Sequence, residues 1–427
     1  MTNAKLVDTS LEREFRRRTP KSADFAERAS LVLPGGNTRT TVFHPPYPLS
    51  FARGDGPWLW DLDGNRYFDL FYNGLSIIHG HNYAPIREAI AAKLLDGSAL
   101  GSASIELVEF AETLQRRLPN AELLRFTNTG SEAGMIAVRV ARAVTGRPLL
   151  LKAERAYHGS YPDLEAGLYG VGDMPGRSLV APFNDLPAFE TVMAEHGSRV
   201  AAIILEPIMF TGRVVPPEPG FLEGVQALAR KHGSLFMIDD CLMFRLAVGG
   251  SAEKFSLDPD ITILGKFVGG GTPVGVVAGR RSVMESLDPT KPGAIFHGGS
   301  FNGNRIGATA GHIAMRDLTE AAITGMDKRM ERLRHSLQSK ADAIGLPVAV
   351  TGEGSVAGIA FLTDPVRHED DPSALGLSVL FQLACFNNGV SVAPGGVMAL
   401  ATMVDDDSLS FAIGAMEDAL EHVADLG

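Results

Sequence analysis

From residue 123 onward the chain settles into a rhythm that few folds satisfy. Short apolar runs recur: LLRFT (123–127), LLLKA (149–153), SLVAPF (178–183), AAIILEP (201–207), SLFMIDD (234–240) and ITILG (261–265). Helical patterns lie between them, Phe221 to Lys231 for example. Continuous apolar runs of this length read as strands buried on both faces. Their alternation with helices implies a mainly parallel sheet covered on both sides, an α/β architecture. Ligands of such sheets gather beyond the carboxyl ends of the strands. The residues that end each run are therefore the first places to look for chemistry.

The flanks read differently. Residues 1–33 look helical, with apolar positions at Leu11, Phe15, Phe25 and Ala29, and stop at Pro34-Gly35-Gly36. The proline-rich stretch 37–53 is loop-like. Residues 57–70 read as a hairpin turning at Asp63-Gly64. Two amphipathic helices are expected over 84–118, around a break at Gly97 to Gly101. Beyond residue 315 the pattern changes to a long charged helix, Arg316 to Ala343, then strands near 347–350 and 357–362. A helix from Ala374 to Asn387, a strand near Val390 and a last helix around Ser408 to Ala424 follow. The expected division is an N-terminal arm and hairpin (1–65), a large domain (66–315) and a smaller α+β domain (316–427).

Composition narrows the functional classes. A net charge of −11 over 427 residues disfavours nucleic acid and anionic membranes as partners. No uncharged apolar run is long enough for a membrane span, and the polar N-terminus has no secretory h-region, so a cytoplasmic setting is expected. Two cysteines, Cys241 and Cys385, form neither a disulfide framework nor a metal-ligand spacing.

The strand ends carry the candidate chemistry. Lys266 follows ITILG and precedes Gly269-Gly270-Gly271. Partial desolvation disfavours an ammonium, so a lysine there can become an amine nucleophile, although most strand-end lysines are solvated caps. Asn128-Thr129-Gly130-Ser131 lies at a strand-to-helix junction, where free N–H groups and positive potential suit a phosphate. A plain N-cap at Thr129 or Ser131 is the simpler reading. Its spacing is neither GxGxxG nor a Walker A loop, which disfavours dinucleotides and P-loop nucleotides. Tyr157 and His158 follow LLLKA, where an aromatic could stack on a flat ring; a packed tyrosine and a surface histidine are the alternative. SLFMIDD ends in Asp239-Asp240, which with Glu206 could bind magnesium. Alternatively, one buried carboxylate could pair with a protonated ring nitrogen. HGGSFNGN (297–304) suits an anion or is a tight turn before a helix at Ile306.

A phosphate cradle, a stacking aromatic, a carboxylate for a pyridinium and a nucleophilic lysine together make the kit for pyridoxal 5′-phosphate, with no metal. In the order NTGSEA, AYHG, LEP, IDD, GKFVGGG and HGGSFNGN, the chain resembles the class III, fold type I, aminotransferases from about Pro34 to its C-terminus. It looks most like the branch that holds glutamate-1-semialdehyde aminomutase and the β-amino acid (β-phenylalanine) transaminases.

The resemblance implies that Lys266 forms an aldimine with the cofactor and shuttles the proton, and that Asp239 pairs with the pyridine nitrogen. Tyr157 would stack on the ring with His158 close by. Thr129, Gly130 and Ser131 would hold the phosphate. Gly299 and Ser300 would reach it from the neighbouring subunit of a homodimer, which puts the active site at the subunit interface. Glu206 would lie near the ring's 3-hydroxyl, Cys241 behind the ring, and Arg39 would take a substrate carboxylate. The implied activity is a transaminase moving an amino group from an amino acid, β-amino acids favoured, to a keto acid. The alternatives are an aminomutase or racemase on the same cofactor and, in another class, a non-catalytic binding protein of the same fold. Three departures bear on substrate choice. Asp240-Cys241 stands where the family usually shows Glu-Val, Arg305 replaces a usual proline, and the loop 393–400 lacks an arginine carried by β-phenylalanine transaminases.

Overall fold

The computed structural model describes residues 10–118, 120–168, 176–362 and 371–426. Near the N-terminus, β1 (Phe51–Asp55), β2 (Trp58–Asp61) and β3 (Arg66–Asp69) form an antiparallel meander, so the expected hairpin runs across residue 65. The central sheet is built from β4 (Leu123–Thr127), β5 (Leu149–Ala153), β6 (Ser178–Ala181), β7 (Val200–Leu205), β8 (Leu235–Asp239), β9 (Ile261–Leu264) and β10 (Gly275–Gly279). Its order is β4-β10-β9-β8-β7-β5-β6. The pairings from β9 to β6 are parallel, as continuous runs such as the fully buried VAAIIL of β7 require.

One strand departs from the expected pattern. β10, GVVAG, runs antiparallel to both β4 and β9, which makes the sheet mixed. It escapes a search for apolar runs because glycines stand at both of its ends. The packing requires them: a Cβ at Gly275 would meet the Thr129 carbonyl oxygen at 2.0 Å, and one at Gly279 the Asp260 carbonyl oxygen at 2.6 Å. Inserting β10 leaves β4, β5, β7, β8 and β9 pointing the same way, with their carboxyl ends along one edge.

The C-terminal part is a smaller α+β unit. Its antiparallel sheet consists of β11 (Ala349–Glu353), β12 (Val356–Ala360) and β14 (Val397–Ala399), with the two-residue β13 (Val390–Ser391) between the last two in sequence. β13 pairs in parallel with β3. Leu11, Phe15, Tyr67 and Phe68 accordingly share a core with Leu333, Phe381, Met398 and Leu420. Two further details correct the expectations. The charged helix read over 316–343 begins four residues later, as Glu320–Ile344, because the helix Arg305–Asp317 ends before it and Thr319 caps the second, its hydroxyl oxygen accepting from the Ala322 N–H. β14 also went unread, being three residues beside paired glycines. Among the described residues no helix is long and apolar enough to cross a membrane.

Candidate active site

Each strand end at that common edge supplies one group. β4 runs into the helix Gly130–Thr145, which Thr129 caps: its hydroxyl oxygen accepts from the Glu132 N–H at 3.1 Å. Glu132 in turn accepts from the Asn128 N–H at 2.7 Å. Capping is therefore real here, and the N–H groups of Gly130 and Ser131, which start the helix, have no intrahelical carbonyl to bond. The Ala156–Ser160 turn lies against this helix end. Gly159 makes the approach possible, since a Cβ there would sit 2.6 Å from Ser131 Cα, and the Ser160 N–H donates to Ser131 Oγ at 3.2 Å. Gly130 and Gly265 face the Cys241 thiol, which a Cβ on either would meet at 2.9 and 3.2 Å. Cys241 thus fills the floor between two bare backbones, and burial pushes its thiol well up in pKa.

The inner wall is a hydrogen-bonded acid cluster. Asp239, ending β8, is buried, and its Oδ2 lies 2.9 Å from His158 Nδ1. Its Oδ1 accepts from the Cys241 N–H at 3.2 Å. Burial opposes charge on Asp239, but the His158 hydrogen bond, with Lys266 nearby, holds its carboxyl below the usual range. An ionised carboxylate only accepts, so the proton sits on His158 Nδ1. Burial keeps the imidazole neutral, and its Nε2 is buried without a partner. Glu206, just past β7, accepts from the Tyr157 and Phe210 N–H groups at 2.8 and 3.3 Å. Burial first, then repulsion from Asp239, pushes it up to about 7.

Asp240 faces away from this cluster, as the next residue along a strand must. Its Oδ2 accepts from the Ser251 N–H at 3.0 Å, its Oδ1 is buried without a partner, and burial raises it to about 7. The two aspartates therefore do not converge, and no cluster of three His, Cys, Asp or Glu able to hold a metal occurs among the described residues.

Lys266 follows β9, is half-buried, and opens a tight turn, Lys266–Gly269. Its φ of +53° lies in the left-handed region, a strained conformation for a lysine of the kind concentrated at functional sites. Tyr157 is 42% exposed, held through its backbone to Glu206 and through its hydroxyl to Ser160 Oγ at 3.3 Å. Gly299 and Ser300 are exposed on a loop whose Asn302 Oδ1 accepts from Asn128 Nδ2 at 2.8 Å. Arg39 is exposed, and its Nη2 donates to Asn73 Oδ1 at 2.8 Å; the Tyr72–Leu75 turn that carries Asn73 packs beside the Lys266–Gly269 turn. Two departures from the family pattern have local explanations. Arg305 opens its helix by pairing with Glu106, at 3.1 Å. Gly395, in the arginine-free loop, lies against the Arg213 guanidinium, so close that a Cβ would meet its Nη1 at 2.5 Å.

One wall residue was not singled out from the sequence. Lys152 is fully buried, and its ammonium donates to the Ala156 and Ala166 carbonyls at 2.7 and 2.6 Å, tethering the turn that carries Tyr157 and His158. Burial lowers it to about 8, against the pull of Glu206. The signal was a lysine inside the otherwise apolar LLLKA, because a buried charge persists only where partners are built for it.

These residues fit pyridoxal phosphate. A helix start beside two glycines offers an anion cradle, an internally held anionic Asp239 suits a protonated ring nitrogen, and a half-buried amine stands at a neighbouring strand end.

Comparison with known proteins agrees. The model of the class-III aminotransferase family matches residues 41–420. A glutamate-1-semialdehyde 2,1-aminomutase of Myxococcus xanthus is 38% identical over 360 residues, covering 79% of this chain and 82% of that protein. An omega-transaminase from Sphaerobacter thermophilus superposes with a TM-score of 0.91 at 33% identity, covering 94% of this chain and 97% of the other. A β-phenylalanine aminotransferase from Variovorax paradoxus does so with a TM-score of 0.90 at 30% identity, covering 96% of each. The chain belongs to the class-III aminotransferase family and is a pyridoxal phosphate-dependent enzyme of fold type I.

Proposed function

We propose that the protein is a transaminase that takes an amino group from a carboxylated amino acid, β-amino acids favoured, and passes it to a keto acid. The pyridoxal phosphate chemistry that this reading shares with its alternative is carried by the convergence of an anionic Asp239, fixed by His158 and the Cys241 N–H, with the amine of Lys266. Bound pyridoxal phosphate supplies an electron sink for the carbon that bears the amine. Asp239 would keep the ring nitrogen protonated, and Lys266 would hold the cofactor and move the substrate proton. Tyr157 would cover the ring, and Glu206 would lie on the side of its 3-hydroxyl. Thr129, Gly130 and Ser131 would bind the phosphate. Arg39 receives the substrate carboxylate. The protein works as a cytoplasmic homodimer in which the partner subunit's Gly299 and Ser300 complete the phosphate site. Phe296 and Phe301, 83% and 62% exposed beside those residues, support that assembly.

An aminomutase is the second reading, and overall sequence likeness favours it. The curated relatives at 32–38% identity are glutamate-1-semialdehyde aminomutases. The solved transaminases at 30–33% identity favour the first reading. A donor-by-acceptor panel separates the two. A transaminase consumes α-, β- or ω-amino donors only with a keto acid present in turnover and aminates that acid. Isomerisation of one amino substrate with no acceptor, and no amination of any keto acid, would replace the first reading with the second.

A further inference from the structure

Arg39 sits on an exposed loop, where a long side chain has many rotamers, yet one part of the chain is shaped to hold it. Asn73 lies in a four-residue turn in which every φ is positive: Tyr72 +45°, Asn73 +54°, Gly74 +73° and Leu75 +61°. L-residues visit this region singly, at roughly 1–2 kcal/mol each. A run of four, three of them with side chains, survives only where its surroundings over-determine it. They do so here. Tyr72 and Leu75 are fully buried, Leu75 packing among Ile208, Val214, Leu242 and Met243. Tyr72 stacks on His81 at 5.7 Å, while Asp69 Oδ1 accepts from the Phe71 and Tyr72 N–H groups at 2.8 and 3.1 Å. The strained turn thus has buried ends and an exposed Asn73 at its crest, beside the Lys266–Gly269 turn.

The amide of Asn73 has a defined orientation. Ser76 Oγ spends its proton on the Asn73 carbonyl at 3.1 Å and accepts from Asn73 Nδ2 at 3.0 Å. The side-chain oxygen is therefore the atom that meets Arg39 Nη2, at 2.8 Å. A carboxylate at this position would neutralise the guanidinium in a charge-assisted pair. A neutral amide orients it and leaves its charge intact.

We propose that Asn73 is a specificity-determining positioning residue, which holds the Arg39 guanidinium beside the Lys266 site while leaving its charge for the carboxylate of an amino substrate. The inference rests on the reading of Arg39 given above. It predicts that charge placed on Asn73 costs carboxylated substrates selectively.

The test uses the holoenzyme and two variants that tolerate a positive φ. In Asn73→Asp the KM for carboxylated amino donors should rise about tenfold more than for donors without a carboxylate. Affinity for a simple carboxylic acid lacking an amine, read by calorimetry, should fall in parallel. Asn73→Gly keeps the turn without strain and loses the acceptor, so the same selective change should be smaller, roughly threefold. In an Arg39→Ala background Asn73→Asp should add less than about twofold, because its target is gone. If Arg39→Ala discriminates between the two donor types but Asn73→Asp does not, the role of Asn73 is overturned and that of Arg39 stands. Equal losses on both donor types in Asn73→Asp also overturn it, as a merely structural effect. If Arg39→Ala itself fails to discriminate, both roles fall. Should Asn73→Asp not fold, Asn73→Gly decides by the same criterion.

Discussion

The inner wall and the outer rim of the site are built from opposite materials. Asp239, His158, Glu206, Cys241 and Lys152 are buried, sit at or just beyond strand ends, and find partners inside the same chain. Arg39, Asn73, Thr129, Tyr157 and Ser300 are exposed and sit on loops or caps. In the wall, desolvation and near neighbours set the charges of Asp239, anionic, and His158, neutral, before any ligand arrives. On the rim, water competes for every contact until a ligand displaces it. The wall is accordingly suited to setting the reaction class and the rim to choosing the substrate.

Four substitutions can break or sharpen that division. The largest effect is expected for Lys266→Ala, which should lower turnover by at least about a thousandfold and abolish the visible absorption of cofactor bonded to the lysine. A variant that kept the wild-type spectrum would remove Lys266 from the site. Asp239→Asn should come next, at about a hundredfold in kcat for every donor, because an amide cannot match a carboxylate on a protonated ring nitrogen, a difference of ~3 kcal/mol. A loss confined to one donor class would put Asp239 on the wrong side of the division. Arg39→Ala should raise KM for carboxylated donors about tenfold and spare kcat. If kcat fell for all donors alike, rim and wall would not be separable.

The smallest effect concerns pH. Burial raises Glu206 and Asp240 to about 7 from ordinary values of 4.5 and 3.8. A carboxyl whose folded pKa is raised binds its proton more tightly in the fold than in the unfolded chain. Its contribution is complete below the unfolded pKa and is lost as pH rises through the folded one. The Tm of cofactor-free protein should therefore fall between about pH 4 and pH 7. Asp240→Asn, which mimics the neutral acid, should flatten part of that fall, by about 1–3 °C. An unchanged slope would show that Asp240 does not titrate in this window.

The legible parts of the molecule were those where one residue type in one place has one physical meaning. The five apolar runs from 149 to 265 are strands because a continuous apolar stretch of that length has to be covered on both faces. The cap at Thr129 could be read because its oxygen sits three residues before Glu132 at a strand-to-helix junction. β10 was not legible, since its glycines answer to the backbones of Thr129 and Asp260, which are far away in sequence. The boundary between the helices Arg305–Asp317 and Glu320–Ile344 was misplaced for a related reason: the charged pattern continues across it, and Thr319's cap, not a change of composition, marks where the second begins.

The sequence by itself determined the α/β class and placed Asp239, Glu206 and Lys266 each at a strand end, because burial of apolar runs dictates where strands stop. The tertiary structure decided how those ends face one another. It turned Asp239 toward His158 and Asp240 toward Ser251, drew Lys152 under the Tyr157 turn, and set Asn73 on a left-handed turn against Arg39. These pairings join residues as many as 81 positions apart. Hydrogen-bond direction and desolvation act between neighbours in space, and a linear pattern carries neither.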